Sequence, residues 1–261
     1  MLETLIAHGS DWIQWLDVSG LQAGGGRPVS TEGFRLNLTR RPENLKVIHK
    51  SSMSVLWITG ATGMVSIAAG KAGAADLLRP ALPSYELNGA LTDTTGCFLP
   101  RLFGLKLGAG AGAQVRLYRS PMGTRYTQGG GAQGRVLKED GSPLSWALVC
   151  LTVQPLGSPV MEYIAQADAL GEFRLALDRL PPLPKDAHVS SYTATLKIRA
   201  NLSNRPDQPI DPEKLGPIQV CAGKTIQKKL RFSNGLGVTL VPGMTTTLYS
   251  PGQTAIVLKS S

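Results

Sequence analysis

The sequence predicts an all-β protein made of two tandem β-sandwich units and an extended C-terminal arm. Three observations carry that prediction. Gly and Pro supply 30 and 18 of 261 residues, roughly 18% against a usual ~12%, so the chain turns often. Charged residues are only 17% while apolar ones reach 42%, which excludes a disordered chain and argues against coiled coils or long solvated helices. The apolar residues fall in short runs bounded by turn residues, the pattern of an all-β protein. A chain of 261 residues also divides into two domains of roughly 100–130 residues, each able to bury about two-thirds of its unfolded surface.

In chain order, helical signal is confined to residues 2–8 and the Ala-rich Ser66–Leu78, the latter weakened by Gly70 and Gly73. Phe34–Leu38 and Phe173–Leu177 alternate as short half-buried strands. Trp146 to Val153 is apolar on both faces, as in a central strand covered on two sides. The clearest strand is Tyr192–Ala200, with Tyr192, Ala194, Leu196, Ile198 and Ala200 on one face and Thr193, Thr195, Lys197 and Arg199 on the other. Lys224–Phe232 reads as one further strand, placing Ile226, Leu230 and Phe232 together. The Gly-rich stretches Gly108–Gly112 and Gly129–Gly131 bracket a domain boundary between Pro121 and Ala132. The expected organisation is an N-terminal β domain over 1–121, a sandwich over 132–233 and an arm or hairpin over 234–261. In that tail Val238, Leu240, Leu248, Ile256 and Leu258 are the candidate partner interface, because a tail with strand-forming apolar residues either completes its own sandwich or lends a strand to a neighbour.

An internal echo joins Asp93-Thr94-Thr95-Gly96-Cys97-Phe98 to Asp168-Ala169-Leu170-Gly171-Glu172-Phe173. In both, Asp and Gly are expected to make a turn from which Phe enters an inward-facing strand. The second copy belongs to a longer series: Gly134-Arg135-Val136, Asp140-Gly141-Ser142-Pro143-Leu144, Ala147–Leu151, Ala167–Leu175 and Leu180-Pro181. In this series residues 132–233 resemble the carboxypeptidase regulatory-like β-sandwich family, whose fold is immunoglobulin- and transthyretin-like. A Pro-containing insertion, Arg205–Pro217, precedes the last strand. The resemblance implies seven strands, an accessory or structural role, and no catalysis.

Motifs that could carry chemistry read better as structure. Thr59-Gly60-Ala61-Thr62-Gly63-Met64-Val65 follows an apolar run like a dinucleotide-binding turn, but Ser66 stands where the third glycine belongs and no Tyr-x-x-x-Lys pair exists. A β-turn is expected there. Gly63–Lys71 has six residues between its glycines and Ala72 after the lysine, which excludes a P-loop. His8, His49 and His188 share no ligand spacing, and no Gly-x-Ser-x-Gly elbow occurs. Asp140, Asp168, Asp207 and Asp211 all stand in turn contexts. Leu180–Pro184 reads as a rigid connection rather than a polyproline ligand. No catalytic residue, metal ligand or cofactor is expected.

The formal charge is +9, spread over dispersed Lys and Arg residues. A diffuse positive field suits an acidic protein neighbour better than nucleic acid, for which an aromatic-interleaved patch is missing. No window spans a membrane. The start of the chain lacks the basic segment of a secretory signal, and three cysteines (Cys97, Cys150, Cys221) without metal spacing fit synthesis in the cytoplasm. The first functional expectation is therefore a non-enzymatic structural protein packing with other subunits, in a phage tail or phage-tail-like contractile injection particle. The alternative is a β-sandwich binding module for carbohydrate or a surface receptor, with Trp12, Trp15, Trp57 and Trp146 as the rings to place.

Overall fold

The computed structural model describes residues 3–21, 25–67, 83–108, 110–155, 158–183 and 190–260, with the side chains of 3–9, 21 and 59–67 outside that description. Strands are numbered in chain order. The all-β expectation holds: among the described residues helical structure amounts to one 3-10 turn, Pro212–Lys214, capped by Asp211. The candidate helix at 2–8 is instead strand from Glu3 onward. Of Ser66–Leu78, Ser66 and Ile67 end a strand and the remainder lies outside the described residues.

Two compact units form, but they are interleaved rather than tandem. The first takes Met1–Leu16, Arg27–Thr92 and Leu102–Arg116; the second takes Asp17–Gly26, Asp93–Arg101 and Leu117–Ser261. A boundary near residue 121 therefore describes only the last crossing of the chain. The physical reason is that Gly20–Leu21 pairs with Tyr163 and Ile164, and the turn at Asp93 leads into the Phe98–Arg119 bridge.

The first unit has a five-stranded sheet of β1 (Glu3–Asp17), β3 (Arg27–Pro28), β5 (Leu45–His49), β6 (Met53–Ile67) and β9 (Ala113–Leu117). Its second sheet is β4 (Phe34–Arg40), β7 (Tyr85–Asp93) and β8 (Arg101–Leu107). Trp15, fully buried on β1, meets Phe34 and Phe103 of the second sheet edge-on at 5.9 and 5.7 Å, so one indole joins both layers. The glycines of Thr59–Val65 lie within β6, antiparallel to β1, and not in the turn expected from sequence. Pairing runs from His8–Thr62 to Ser10–Trp57, so four residues of β6 stand opposite Gly9 alone. An irregularity of that size is where glycine is useful in a strand.

The second unit has two six-stranded sheets. One holds β2 (Gly20–Leu21), β11 (Leu148–Val153), β12 (Met161–Gln166), β14 (Tyr192–Ala200), β15 (Gly216–Ile218) and β18 (Leu236–Leu240). The other holds β10 (Gly131–Lys138), β13 (Glu172–Ala176), β16 (Val220–Lys224), β17 (Leu230–Ser233), β19 (Thr245–Leu248) and β20 (Ile256–Leu258). Leu151, Phe173, Leu175, Leu196 and Ile198 share one core between them, while Leu148 is buried on the other face of β11. β14 matches its sequence reading residue for residue. Phe173→Ala is expected to cost about 3–5 kcal/mol in urea unfolding; a loss below about 1 kcal/mol would show that the core closes around the gap.

Two expectations are corrected here. Lys224–Phe232 is a hairpin, not a strand: Thr225 N–H donates to the Lys229 carbonyl at 2.7 Å and Lys228, at φ +62°, turns the chain. The tail is not an arm. β18 pairs with β14 over Tyr192–Leu196, and β19 and β20 lie parallel to β10. Leu240, Leu248, Ile256 and Leu258 are core residues and Val238 packs against them, so these five side chains face inward and not toward a partner. Without the tail strands, one edge each of β10 and β14 would open onto the core.

Candidate interaction site

The first unit carries a sheet face on which aromatic, aliphatic and polar side chains meet. Strand alternation puts Asp11, Ile13 and Trp15 of β1 and Ser54, Leu56 and Ile58 of β6 inside, all buried. The other phase faces outward: Ser10, Trp12 and Gln14; Met53, Val55 and Trp57; and Lys46 and Ile48 of β5. Register fixes the neighbours. Trp12 stands opposite Val55, which stands opposite Ile48, and Ser10 stands opposite Trp57, which stands opposite Lys46. Trp12 and Trp57 are therefore diagonal neighbours on one face, a relation that places such residues about 7–8 Å apart.

Local contacts set the two half-buried indoles. Trp12 lies against Gly112, where an added Cβ would come within 2.2 Å of the ring. The Lys46 ammonium sits 5.8 Å from the centroid of Trp57, a cation–π pair. Beside them Gln114 Nε2 donates to Gln14 Oε1 at 3.1 Å. The surface is thus apolar at its centre, amide-lined on one side and cationic on the other. Trp15 and Trp146 are buried, and Trp146 donates its indole N–H to the Arg205 carbonyl at 2.9 Å. Sequence reading named the rings but did not connect Lys46, Ile48, Val55 or Gln14 with them. The available signal was the double alternation of Trp12-x-Gln14 and Val55-x-Trp57 around buried partners.

Behind that face, Ser54 Oγ accepts the Trp15 indole N–H at 2.9 Å and lies 2.9 Å from His49 Nδ1. Burial holds the His49 pKa below its ordinary value. Ser54 is fully buried, so this Ser–His contact orders the sheet and offers no accessible nucleophile. Asp11 is buried near Tyr85, whose hydroxyl pKa is pushed far up by burial and then by the Asp11 charge. His8 lies on β1, and His188 is outside the described residues, as is Pro184 of the Leu180–Pro184 connection.

In the second unit a cleft of about 650 Å³ is lined by Met122, Gln133, Arg135, Asp168, Glu172 and Arg174, among others. Two of its charged groups, Asp168 and Arg135, serve the fold. Asp168 Oδ1 accepts the N–H groups of Leu170 and Glu172, and Arg135 Nε donates to the Leu170 carbonyl at 3.0 Å. The Asp93 turn is built alike, its carboxylate accepting from Thr95 and Phe98 N–H. Gly96 and Gly171 both have positive φ. Phe98 and Phe173 are both buried, Phe98 through a single bridge and Phe173 within β13. Cys150 is partly buried, which pushes its thiol pKa up, Cys221 is buried and Cys97 is exposed. Among the described residues no three His, Cys, Asp or Glu side chains converge on a metal-sized point. No described helix is long and apolar enough to cross a membrane.

Fold and surface together define an all-β protein of two compact units with an aromatic sheet face. No protein-family model matches the chain and no curated protein matches it. Among solved structures it is similar to a streptococcal ancillary pilin, at 10% sequence identity and a TM-score of 0.24. That alignment covers 97% of this chain but 62% of the pilin, so the chain spans less than two-thirds of its length.

Proposed function

We propose that this protein is a non-enzymatic structural subunit that packs with other protein subunits through the sheet face around Trp12 and Trp57. That face is the observation that carries the reading. Interface cores are enriched in Trp and Met and depleted of charge, and here Trp12, Met53, Val55, Trp57 and Ile48 adjoin with Lys46 at the margin. The setting proposed is a phage tail or phage-tail-like contractile injection particle assembled from chains made in the cytoplasm. Its support is fold-level analogy. Membership of residues 132–233 in the carboxypeptidase regulatory-like family is likewise a proposal. It is supported by the seven strands β10 to β14, β16 and β17 that this segment contributes outside its insertion.

The diagonal pair of indoles also favours a second reading, a carbohydrate-binding module, since sugars stack on such rings. Lys46 already lies over the Trp57 ring; a sugar would have to displace it, whereas a protein carboxylate could pair with it. Ile48, 38% exposed on β5, separates the readings. Ile48→Asp is expected to abolish recovery of the protein in its native particle while lowering the unfolding midpoint by less than about 2 °C. Native mass measurement of extracts reads the outcome. Wild-type protein found only as a free monomer would defeat the assembly reading, and fluorescence quenching of Trp12 and Trp57 by oligosaccharides would establish the second.

A further inference from the structure

The C-terminal part of the chain is electrostatically one-sided. After Glu213 there is no Asp or Glu, while Lys214, Lys224, Lys228, Lys229, Arg231 and Lys259 follow. Four of these six cations fall on the hairpin of β16 and β17, and all four are exposed. At its tip Ile226 is 105% exposed, so among the described residues its side chain is covered by none. β17 ends the sheet order, and among the described residues its strand partner is β16 alone. Lys229 and Arg231 are exposed, while Leu230 and Phe232 are partly buried. An extra residue of β16 around Gly223, at φ +121°, shifts the register and bends the hairpin.

We propose that this hairpin takes an extended acidic segment of a neighbouring subunit, which adds as a strand to the open edge of β17. The inference rests on the assembly reading above and supplies the chemistry of one partner. An edge strand presents a row of backbone N–H and C=O groups that another strand can pair with. Lys229 and Arg231 set the selectivity. A second copy of β17 would bring like charges together, whereas carboxylates at alternate positions of an incoming strand meet cations. Ile226 gives that segment one apolar contact past the strand end. A lipid surface would leave the edge groups without hydrogen-bond partners, and a nucleic-acid backbone would leave Ile226 in water.

The test uses the full chain and a fluorescein-labelled peptide of alternating Glu and Val, read by fluorescence anisotropy. Binding is expected to weaken as salt rises. Lys228→Glu/Lys229→Glu/Arg231→Glu is expected to weaken it at least about ten-fold, with the unfolding midpoint recorded as the control. A peptide N-methylated at alternate amides, offered to the wild-type protein, is expected not to bind, because it cannot pair with the edge. That arm holds even if the triple variant folds poorly. The proposal falls if the Glu/Val peptide does not bind, if the N-methylated peptide binds equally, or if a folded triple variant binds unchanged. It also falls if phosphatidylserine vesicles or duplex DNA bind while the peptide does not. If the triple variant still enters the native particle, the assembly reading stands and the strand-addition proposal fails; if wild-type protein is never found in a particle, the assembly reading itself fails.

Discussion

Ending the chain at Ser233 is expected to leave the second unit unfolded. The lost residues include Leu236, Leu240, Leu248, Ile256 and Leu258, all buried in its core. Burying one such side chain contributes about 1.5–3 kcal/mol, so the five together reach the whole net stability of a typical domain, about 5–15 kcal/mol. The cut also exposes the edge of β10 now paired with β19 and β20, and that of β14 paired with β18. Circular dichroism and proteolysis of the shortened protein decide the matter. A truncated chain that melts cooperatively within a few degrees of the full one would show that the tail is dispensable after all.

The second large effect is expected at the pair of Arg101 with Asp211. Arg101 Nη2 lies 2.8 Å from Asp211 Oδ1, with the side chains 5% and 13% exposed. Burial pulls the Arg101 pKa down and the Asp211 carboxylate opposes that shift; a guanidinium nevertheless stays charged at any ordinary pH. Removing one partner strands the other charge, so Arg101→Met is expected to cost about 3–5 kcal/mol. Asp211 also accepts the Glu213 N–H of the 3-10 turn, and Asp211→Asn keeps that acceptor. The double variant Arg101→Met/Asp211→Asn is expected to lose less than the sum of the single losses. Strict additivity in urea unfolding would show that the two groups are not coupled. The pair also explains how the Pro-containing insertion is held. Arg199 donates twice to the Leu215 carbonyl, at 3.1 and 2.7 Å, and Trp146 anchors Arg205.

The two effects have a common origin in the way the second unit is completed from distant parts of the chain. β2 comes from before residue 22, Arg101 from the start of β8, and β18 to β20 from the tail. Each supplies something the segment 131–233 lacks: strand partners, a counter-charge, or the last core side chains.

What the sequence determined by itself was local. Tyr192–Ala200 alternates without interruption because one face of β14 is buried and the other is wet, and a period of two is readable without partners. The Asp-x-x-Gly-x-Phe turns at Asp93 and Asp168 are likewise legible, since carboxylate, backbone N–H groups and left-handed glycine lie within six residues. Pairing was not legible. Whether Leu240, Leu248, Ile256 and Leu258 face a core or a neighbour depends on which edges of β10 and β14 are open, and those edges are set by residues far away in sequence. Ile226 shows the same division: alternation assigned it to the face of Leu230 and Phe232, but the Thr225–Lys229 turn carries it to a hairpin tip. The aromatic face depended on register, because Trp12 and Trp57 become neighbours only when β1 and β6 pair as Trp12–Val55 and Ser10–Trp57. A shift of one residue would send one ring to the opposite face. Strand character is a property of a short window of residues, while register and edge are properties of the assembled sheet.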